Sequence, residues 1–140
     1  MGFFAKLFGP KQPEVWPVHV DDENFKAEVT RSPLPVLLDV WGPSCAPCKQ
    51  LEPIVIRLAT KYQGRVKVAE INAADNPRVM GKLGIMGTPT VLYLKNGHIV
   101  ERVVGFRGEQ YHSEFIEQEL LDPPAPAEAS ATAAASAAGK

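Results

Sequence analysis

The sequence predicts an α/β fold built on one mixed β-sheet. Short apolar segments typical of strands alternate along the chain with segments whose apolar residues recur at the helical period. A helical segment between two strand segments favours a crossover and parallel pairing of those strands. Near the end, Asn96-Gly97 joins two strand segments directly, which is a strong signal for an antiparallel hairpin. A sheet with both kinds of pairing is mixed.

Five segments have the composition of strands, rich in β-branched and other apolar residues. They cover residues 15–20, 36–40, 66–71, 91–94 and 99–104. The second is apolar except for Asp39, so we expect it to be a central strand covered on both faces.

Four segments have helical signals, and they cover residues 21–30, 45–62, 77–83 and 109–121. Asp21 or Asp22 can cap the first of them. Asn76 followed by Pro77 has the pattern of a cap and a first helical position for the third. The second contains Pro53, where we expect a kink.

Composition predicts one domain. The 140 residues are 45% hydrophobic and 22% charged, which is ordinary for a globular protein. The net charge is -1 and the positive residues are scattered, so no nucleic-acid partner is expected. We place the domain at residues 15–121, with an N-terminal extension at 1–14. The Ala/Pro-rich tail at 122–140 is expected to be disordered.

The N-terminal extension carries four large apolar residues, Phe3, Phe4, Leu7 and Phe8. It is too short to span a membrane and lacks the long apolar region of a secretory signal, so we expect no integral membrane segment. We expect these side chains to dock on protein, the alternative being a weak contact with a membrane surface. With no targeting segment and no further cysteines, we predict a cytoplasmic protein whose thiols are kept reduced.

The two cysteines of the chain, Cys45 and Cys48, stand directly before the second helical segment. Three positions apart on a first helical turn, their sulfurs lie on one face within reach of a disulfide. The unpaired N–H groups and the positive end of the helix dipole favour a thiolate there. We therefore predict that Cys45, at the mouth, is the nucleophile and that Cys48, one turn deeper, resolves the mixed disulfide.

Two other interpretations of the cysteine pair carry less weight. A structural zinc site needs four ligands, and His19, His98 and His112 are not spaced to pair with a neighbour. A buried, inert pair of cysteines is the other, but Pro47 between them and the position between strand and helix argue against it. We predict no metal and no other cofactor.

Several motifs, in order, resemble the thioredoxin family. They are Asp39-x-Trp41-x3-Cys45-x-Pro47-Cys48-Lys49, then Pro53, then Gly87-Thr88-Pro89-Thr90. The resemblance covers residues 15–121 and implies a thioredoxin-like fold, a central mixed sheet flanked by α-helices. It also implies dithiol–disulfide exchange at the start of the second helix.

The family resemblance further implies a cis-proline loop at Thr88-Pro89, packed against the cysteine pair. A cis bond makes a tight turn and leaves backbone groups free to bind an extended substrate. Taken alone, Pro89 would be interpreted as an ordinary loop proline before an edge strand.

Asp39 is unexpected in a buried strand, since a carboxylate there is costly without a partner or a task. In the resembled family this position is a buried acid that helps to move the proton of the second cysteine. Desolvation is then expected to raise the pKa of Asp39 toward neutrality. The alternative is a solvated aspartate at the end of a strand.

Three positions depart from the family pattern. Ser44 stands where thioredoxins usually have Trp, which removes an apolar contact from the rim and leaves substrate choice open. Ala46 replaces the usual glycine, while the retained Pro47 is typical of a reducing dithiol. Glu70 falls where the family often has a lysine. Beside Asp39 it would raise one of the two carboxyl pKa values, and otherwise it would point to solvent.

We therefore predict a thiol–disulfide oxidoreductase that reduces protein disulfides. Its partners would be disulfide-containing proteins and an electron-donating reductase, and Trp41, Thr88 and Pro89 would shape the substrate groove. The competing interpretation is a thioredoxin-fold binding module with a dedicated partner and little turnover, which Ser44 and Glu70 keep open. An isomerase or an oxidant is a third, separable by redox potential.

Overall fold

The fold is a single mixed sheet of five strands, seen in a computed structural model that describes residues 13–121. The predictions for residues 1–12 and for the tail at 122–140 lie outside the described residues. The strands are β1 (Val18–Val20), β2 (Val36–Trp41), β3 (Lys67–Asn72), β4 (Thr90–Lys95) and β5 (His98–Val104). Their order is β1-β3-β2-β4-β5, in which β3 pairs parallel with β1 and β2, and β4 pairs antiparallel with β2 and β5. The predicted mixed sheet is confirmed.

Helices cover both faces of this sheet. They are α1 (Lys26–Thr30), α2 (Ala46–Lys61), α3 (Pro77–Leu83) and α4 (Glu109–Phe115), the last continued by a wider turn at Ile116–Leu120. The α1 segment is one wide turn, closed by the Arg31 N–H donating to the Lys26 carbonyl at 2.9 Å. Helix α2 runs through Pro53 without a break.

The alternation of side chains along the strands divides the core into two layers. Leu37, Val68 and Tyr93 point to the face covered by α2 and by the end of the chain around Ile116. Leu38, Ala69 and Leu92 point to the opposite face, where α1 and α3 cover them. Burial on both faces explains why β2 reads as a nearly continuous apolar run.

The first strand is shorter than predicted, because residues 15–17 lie outside the sheet. Pro17 has no N–H to donate to a strand ladder. The Val15 N–H donates instead to Thr60 Oγ1 on α2, at 2.9 Å. The segment before β1 therefore packs against the helix that carries the cysteines.

Asn76 is the N-cap residue of α3 and Pro77 its first helical residue, as predicted, but the Asn76 side chain makes no capping hydrogen bond. The side-chain cap comes from a distant part of the chain. The Asp22 carboxylate accepts from the N–H groups of Val79, at 2.9 Å, and of Arg78, at 3.2 Å. Asn76 Oδ1 instead accepts from the Asp22 N–H at 2.7 Å. Asp21 caps its own turn, where Oδ1 accepts from the Asn24 N–H at 2.8 Å.

Candidate active site

The cysteine pair begins α2. Cys45 is the N-cap of this helix, and its Sγ accepts from the Cys48 N–H at 3.3 Å. The two sulfurs form a disulfide, with the Cα atoms 5.2 Å apart. Cys48 is 5% exposed, whereas Cys45 is half-buried, so Cys45 is the sulfur that a partner reaches first. The helix starts one residue later than predicted because Cys45 caps it.

The loop before β4 reaches the same cysteines. Its Thr88–Pro89 peptide bond is cis, as the family resemblance implied. Thr88 Oγ1 donates to Cys45 Sγ at 3.6 Å, and Pro89, the next residue, is buried. Gly42 packs closely here, since a Cβ at this position would come within 3.2 Å of Thr88 Oγ1. The fold thus brings Thr88 against Cys45, the more exposed cysteine of the pair.

Asp39 lies on β2 and is 5% exposed. Its Oδ1 has no hydrogen-bond partner among the described residues. Burial raises the pKa of the Asp39 carboxyl to about 7, and the negative charges of Glu70 and then Glu52 add to this effect. A carboxyl that titrates near neutrality can both accept and return a proton under ordinary conditions.

Glu70 is the neighbour of Asp39 across the β2–β3 pair. Both oxygens of its carboxylate have protein partners: Oε1 accepts from Trp41 Nε1 at 2.5 Å, and Oε2 lies 2.8 Å from His19 Nδ1. The Glu70 side chain is 22% exposed, so it does not simply extend into solvent. The hydrogen bond and the charge of Glu70 raise the pKa of His19.

A cavity of about 310 Å³ joins these groups. Its walls include Asp39, Trp41, Cys48, Glu52 and Glu70. The cavity gives the sulfur of the deeper cysteine and the buried carboxyl a common space, which a proton or a small molecule can enter. In contrast, no cluster of three or more His, Cys, Asp or Glu side chains suited to a metal occurs within residues 13–121.

Ser44, which departs from the family pattern, lies in the lining of this cavity. Ser44 is exposed and has a positive φ of 55°, and it offers no aromatic surface. Trp16, which is 63% exposed, lines the same cavity from the segment before β1. Sequence reasoning missed both Trp16 and His19, because no motif connects them to the cysteines.

Comparison with known proteins agrees with this geometry. The family model described as Thioredoxin matches residues 16–118. The chain belongs to the thioredoxin family. Its relatives include Thioredoxin of Haemophilus influenzae, 36% identical over 103 residues that make up 74% of this chain and 96% of the relative. Thioredoxin 1 of a Nostoc species is 40% identical over 101 residues, 72% of this chain and 94% of the relative.

Family membership and the Cys45–Cys48 pair together establish the activity class. The protein is a thiol–disulfide oxidoreductase, a protein-disulfide reductase of the thioredoxin type. Thioredoxins act on disulfide substrates and are supplied with electrons by a reductase partner. Within residues 13–121, no helix has the length and apolar character needed to cross a membrane.

Proposed function

We propose that this thioredoxin-family protein reduces disulfides in other proteins with Cys45 as the nucleophile and Cys48 as the resolving thiol. These two roles are assigned from the unequal exposure of the two disulfide-bonded cysteines. Cys45 is half-buried at the start of the helix, whereas Cys48 is 5% exposed. A substrate disulfide meets the Cys45 sulfur before it meets that of Cys48. The helix N-terminus around Cys45 also favours the thiolate form of its sulfur.

The cycle begins with the reduced pair. The Cys45 thiolate attacks one sulfur of the substrate disulfide, the substrate S–S bond breaks, and the other substrate sulfur leaves as a thiolate. Cys48 then loses its proton and attacks the Cys45 sulfur of the mixed disulfide. The second substrate thiolate is released, and the Cys45–Cys48 disulfide forms. Two electrons have passed from the dithiol to the substrate.

Asp39 is the proposed acceptor of the Cys48 proton. Both groups line the same cavity, and the pKa of Asp39 near 7 suits a group that must take up and return a proton in each cycle. Glu70 is the proposed modulator of this carboxyl, because its charge raises the pKa of Asp39 further.

The substrate groove is proposed to run along Trp41, Thr88 and Pro89. The contact between Thr88 Oγ1 and Cys45 Sγ supports this placement, and so does the position of Trp41 in the wall of the cavity that also holds Cys48. An extended segment of a disulfide-containing protein would lie there and present its bond to Cys45.

An electron-donating reductase would return the oxidised pair to the dithiol. The protein would then carry electrons from that reductase to its disulfide substrates. A cytoplasmic location fits, because the chain has two cysteines and both belong to the redox pair. We assign the catalytic domain to residues 15–121. The core clusters of the described residues lie within that range.

Insulin reduction with dithiothreitol as electron source tests the proposal. The native chain should reduce insulin, and Cys45→Ser should abolish turnover. Cys48→Ser should retain the first attack and accumulate a mixed disulfide with the substrate, visible on a non-reducing gel. Native turnover at background level would instead favour a binding module. A mixed disulfide trapped by Cys45→Ser and not by Cys48→Ser would reverse the two roles.

A further inference from the structure

Three titratable residues lie side by side across neighbouring strands. His19 of β1 pairs with Glu70 of β3, and Glu70 pairs in turn with Asp39 of β2. Residues paired in this way project their side chains to the same face of a sheet. Exposure falls along the row: the His19 side chain is 65% exposed, that of Glu70 is 22% exposed, and Asp39 is 5% exposed. The row therefore leads from solvent to the buried carboxyl that shares a cavity with Cys48.

Glu70 is fixed at the middle of this row by two donors of different kinds. The Trp41 indole N–H donates to Oε1 at 2.5 Å, and the indole stays neutral at every pH of interest. His19 holds Oε2 at 2.8 Å, and a protonated imidazole brings a positive charge to the pair. The charge that Asp39 faces across the sheet therefore depends on the state of His19.

We propose that His19 is a positioning residue for the exchange reaction: it holds the Glu70 carboxylate in line with Asp39, and the charge of this pair controls how readily Asp39 accepts and releases the Cys48 proton. The inference rests on the proposed role of Asp39. Protonated His19 offsets the charge of Glu70 and favours the ionised, proton-accepting form of Asp39. Neutral His19 leaves Glu70 uncompensated, which favours the protonated form.

Other charged groups face the row and stay constant when His19 is changed. Helix α2 contributes Glu52 and Lys49 to the cavity wall, and Glu52 acts on Asp39 in the same sense as Glu70. Asp21 adds to the effect of Glu70 on His19. On the other side of Asp39, β4 contributes the uncharged Val91.

The direct test is a titration of Asp39 by ¹³C NMR of its side-chain carboxyl, in the oxidised full-length chain. His19 and Asp39 are two strand spacings apart, about 10 Å, and in a partly solvated environment a unit charge at that distance moves a midpoint by about half a pH unit. His19→Gln should therefore raise the Asp39 midpoint by about that amount. His19→Lys, which keeps a cation, should hold it close to the native value. The matched control is His98→Gln, the same change at an exposed histidine of β5, and it should leave the midpoint unchanged.

A second background tests whether His19 acts through Glu70. In Glu70→Gln, His19 loses the hydrogen bond and the charge that raise its pKa, so it carries less positive charge while Asp39 titrates. The further change His19→Gln should then move the Asp39 midpoint by less than half the shift seen in the native background. An equal shift in both backgrounds would overturn the route through Glu70. An unchanged midpoint in His19→Gln alone would overturn the inference as a whole.

The pH profile of insulin reduction connects the titration to catalysis. The profile of His19→Gln should move in the same direction as its Asp39 midpoint, and a midpoint shift with an unmoved profile would also overturn the inference. Asp39→Asn separates the two proposals. If it keeps the native rate and pH profile, the role of Asp39 itself fails, whatever His19 does to the midpoint.

Discussion

Replacing Asp39 by Asn should remove a pH dependence from the stability of the oxidised protein. In the folded chain, burial raises the pKa of this carboxyl from 3.8 to about 7. In the unfolded chain it titrates near its ordinary value. Between these two pH values the folded state holds a proton that the unfolded state has released. The free energy of unfolding of the native chain therefore falls as the pH rises through this window, and the loss is complete above the folded pKa.

The size of the effect follows from the same two pKa values. Each unit of pKa difference is equivalent to about 1.4 kcal/mol, so ionised Asp39 destabilises the fold by about 4 kcal/mol above neutral pH. Domains of this size are stable by only about 5–15 kcal/mol in total, which makes the loss easy to detect. Asn cannot ionise. Its buried amide destabilises the fold by about 1–3 kcal/mol where it lacks hydrogen-bond partners, and this destabilisation is the same at every pH.

Urea unfolding of the oxidised proteins, followed by circular dichroism between about pH 4 and pH 9, measures this difference. The advantage of Asp39→Asn over the native chain should grow by about 4 kcal/mol from the acid to the alkaline end. Asp75→Asn, the same change at an exposed position, should follow the native curve. Parallel curves for Asp39→Asn and native protein would refute the reasoning, because they would mean that Asp39 titrates alike in both states.

Three further results are expected. Burial lowers the pKa of His112 to about 4, so the free energy of unfolding should fall by about 3 kcal/mol as the pH drops from about 6.5 to about 4. In urea titrations, His112→Gln should reduce this acid loss of stability. An equal loss in the variant and the native chain would contradict the prediction. Thr88→Val removes the donor to Cys45 Sγ and should slow insulin reduction several-fold, equivalent to about 1 kcal/mol. Thr88→Ser keeps the hydroxyl and should not slow it. Equal rates for the two variants would show that the Thr88 hydroxyl does not assist the reaction. A chain of residues 15–121 should reduce insulin at the full-length rate, and a slower rate would show that the extension or the tail takes part.

The local part of the site could be predicted from the sequence. Cys45 and Cys48 are near neighbours whose geometry follows from a single helical turn, and the predicted helix differs from α2 by one residue at each end. The anomaly of Asp39 could be seen because one carboxylate interrupts an apolar strand. The cis bond at Thr88–Pro89 needed the family resemblance, since nothing in the local sequence requires it.

Contacts between distant segments could not be predicted. Trp41 and Glu70 are 29 positions apart, and His19 and Glu70 are 51 apart. They meet because of the register in which β1 and β2 pair with β3, and neither composition nor periodicity fixes that register. The side-chain cap of α3 is another example. The N-cap position of Asn76 could be predicted locally, but the carboxylate that accepts from the Val79 N–H belongs to Asp22, 57 positions away.

The energetics of two buried groups support the proposed role of Asp39 in proton transfer. Within residues 13–121, the buried side-chain atoms without a hydrogen-bond partner are Asp39 Oδ1 and His112 Nε2. His112 keeps a structural bond, because the Tyr93 hydroxyl lies against its Nδ1 in the core. Asp39 has no comparable anchor at Oδ1, and above neutral pH its ionisation opposes folding by about 4 kcal/mol.

An apolar side chain at position 39 would suit the surrounding strands better, since Leu37 on the same face of β2 and Val91 opposite it on β4 are buried. The carboxyl faces the cavity that it shares with Cys48. In the proposed mechanism, the Cys48 proton must leave before the mixed disulfide can be resolved. The same burial that destabilises the ionised fold brings the pKa of Asp39 to about 7, close to the value at which a proton acceptor works best under physiological conditions. The loss of stability and the capacity for proton transfer therefore have one physical cause. A substitution at Asp39 that restores stability above neutral pH should diminish proton transfer.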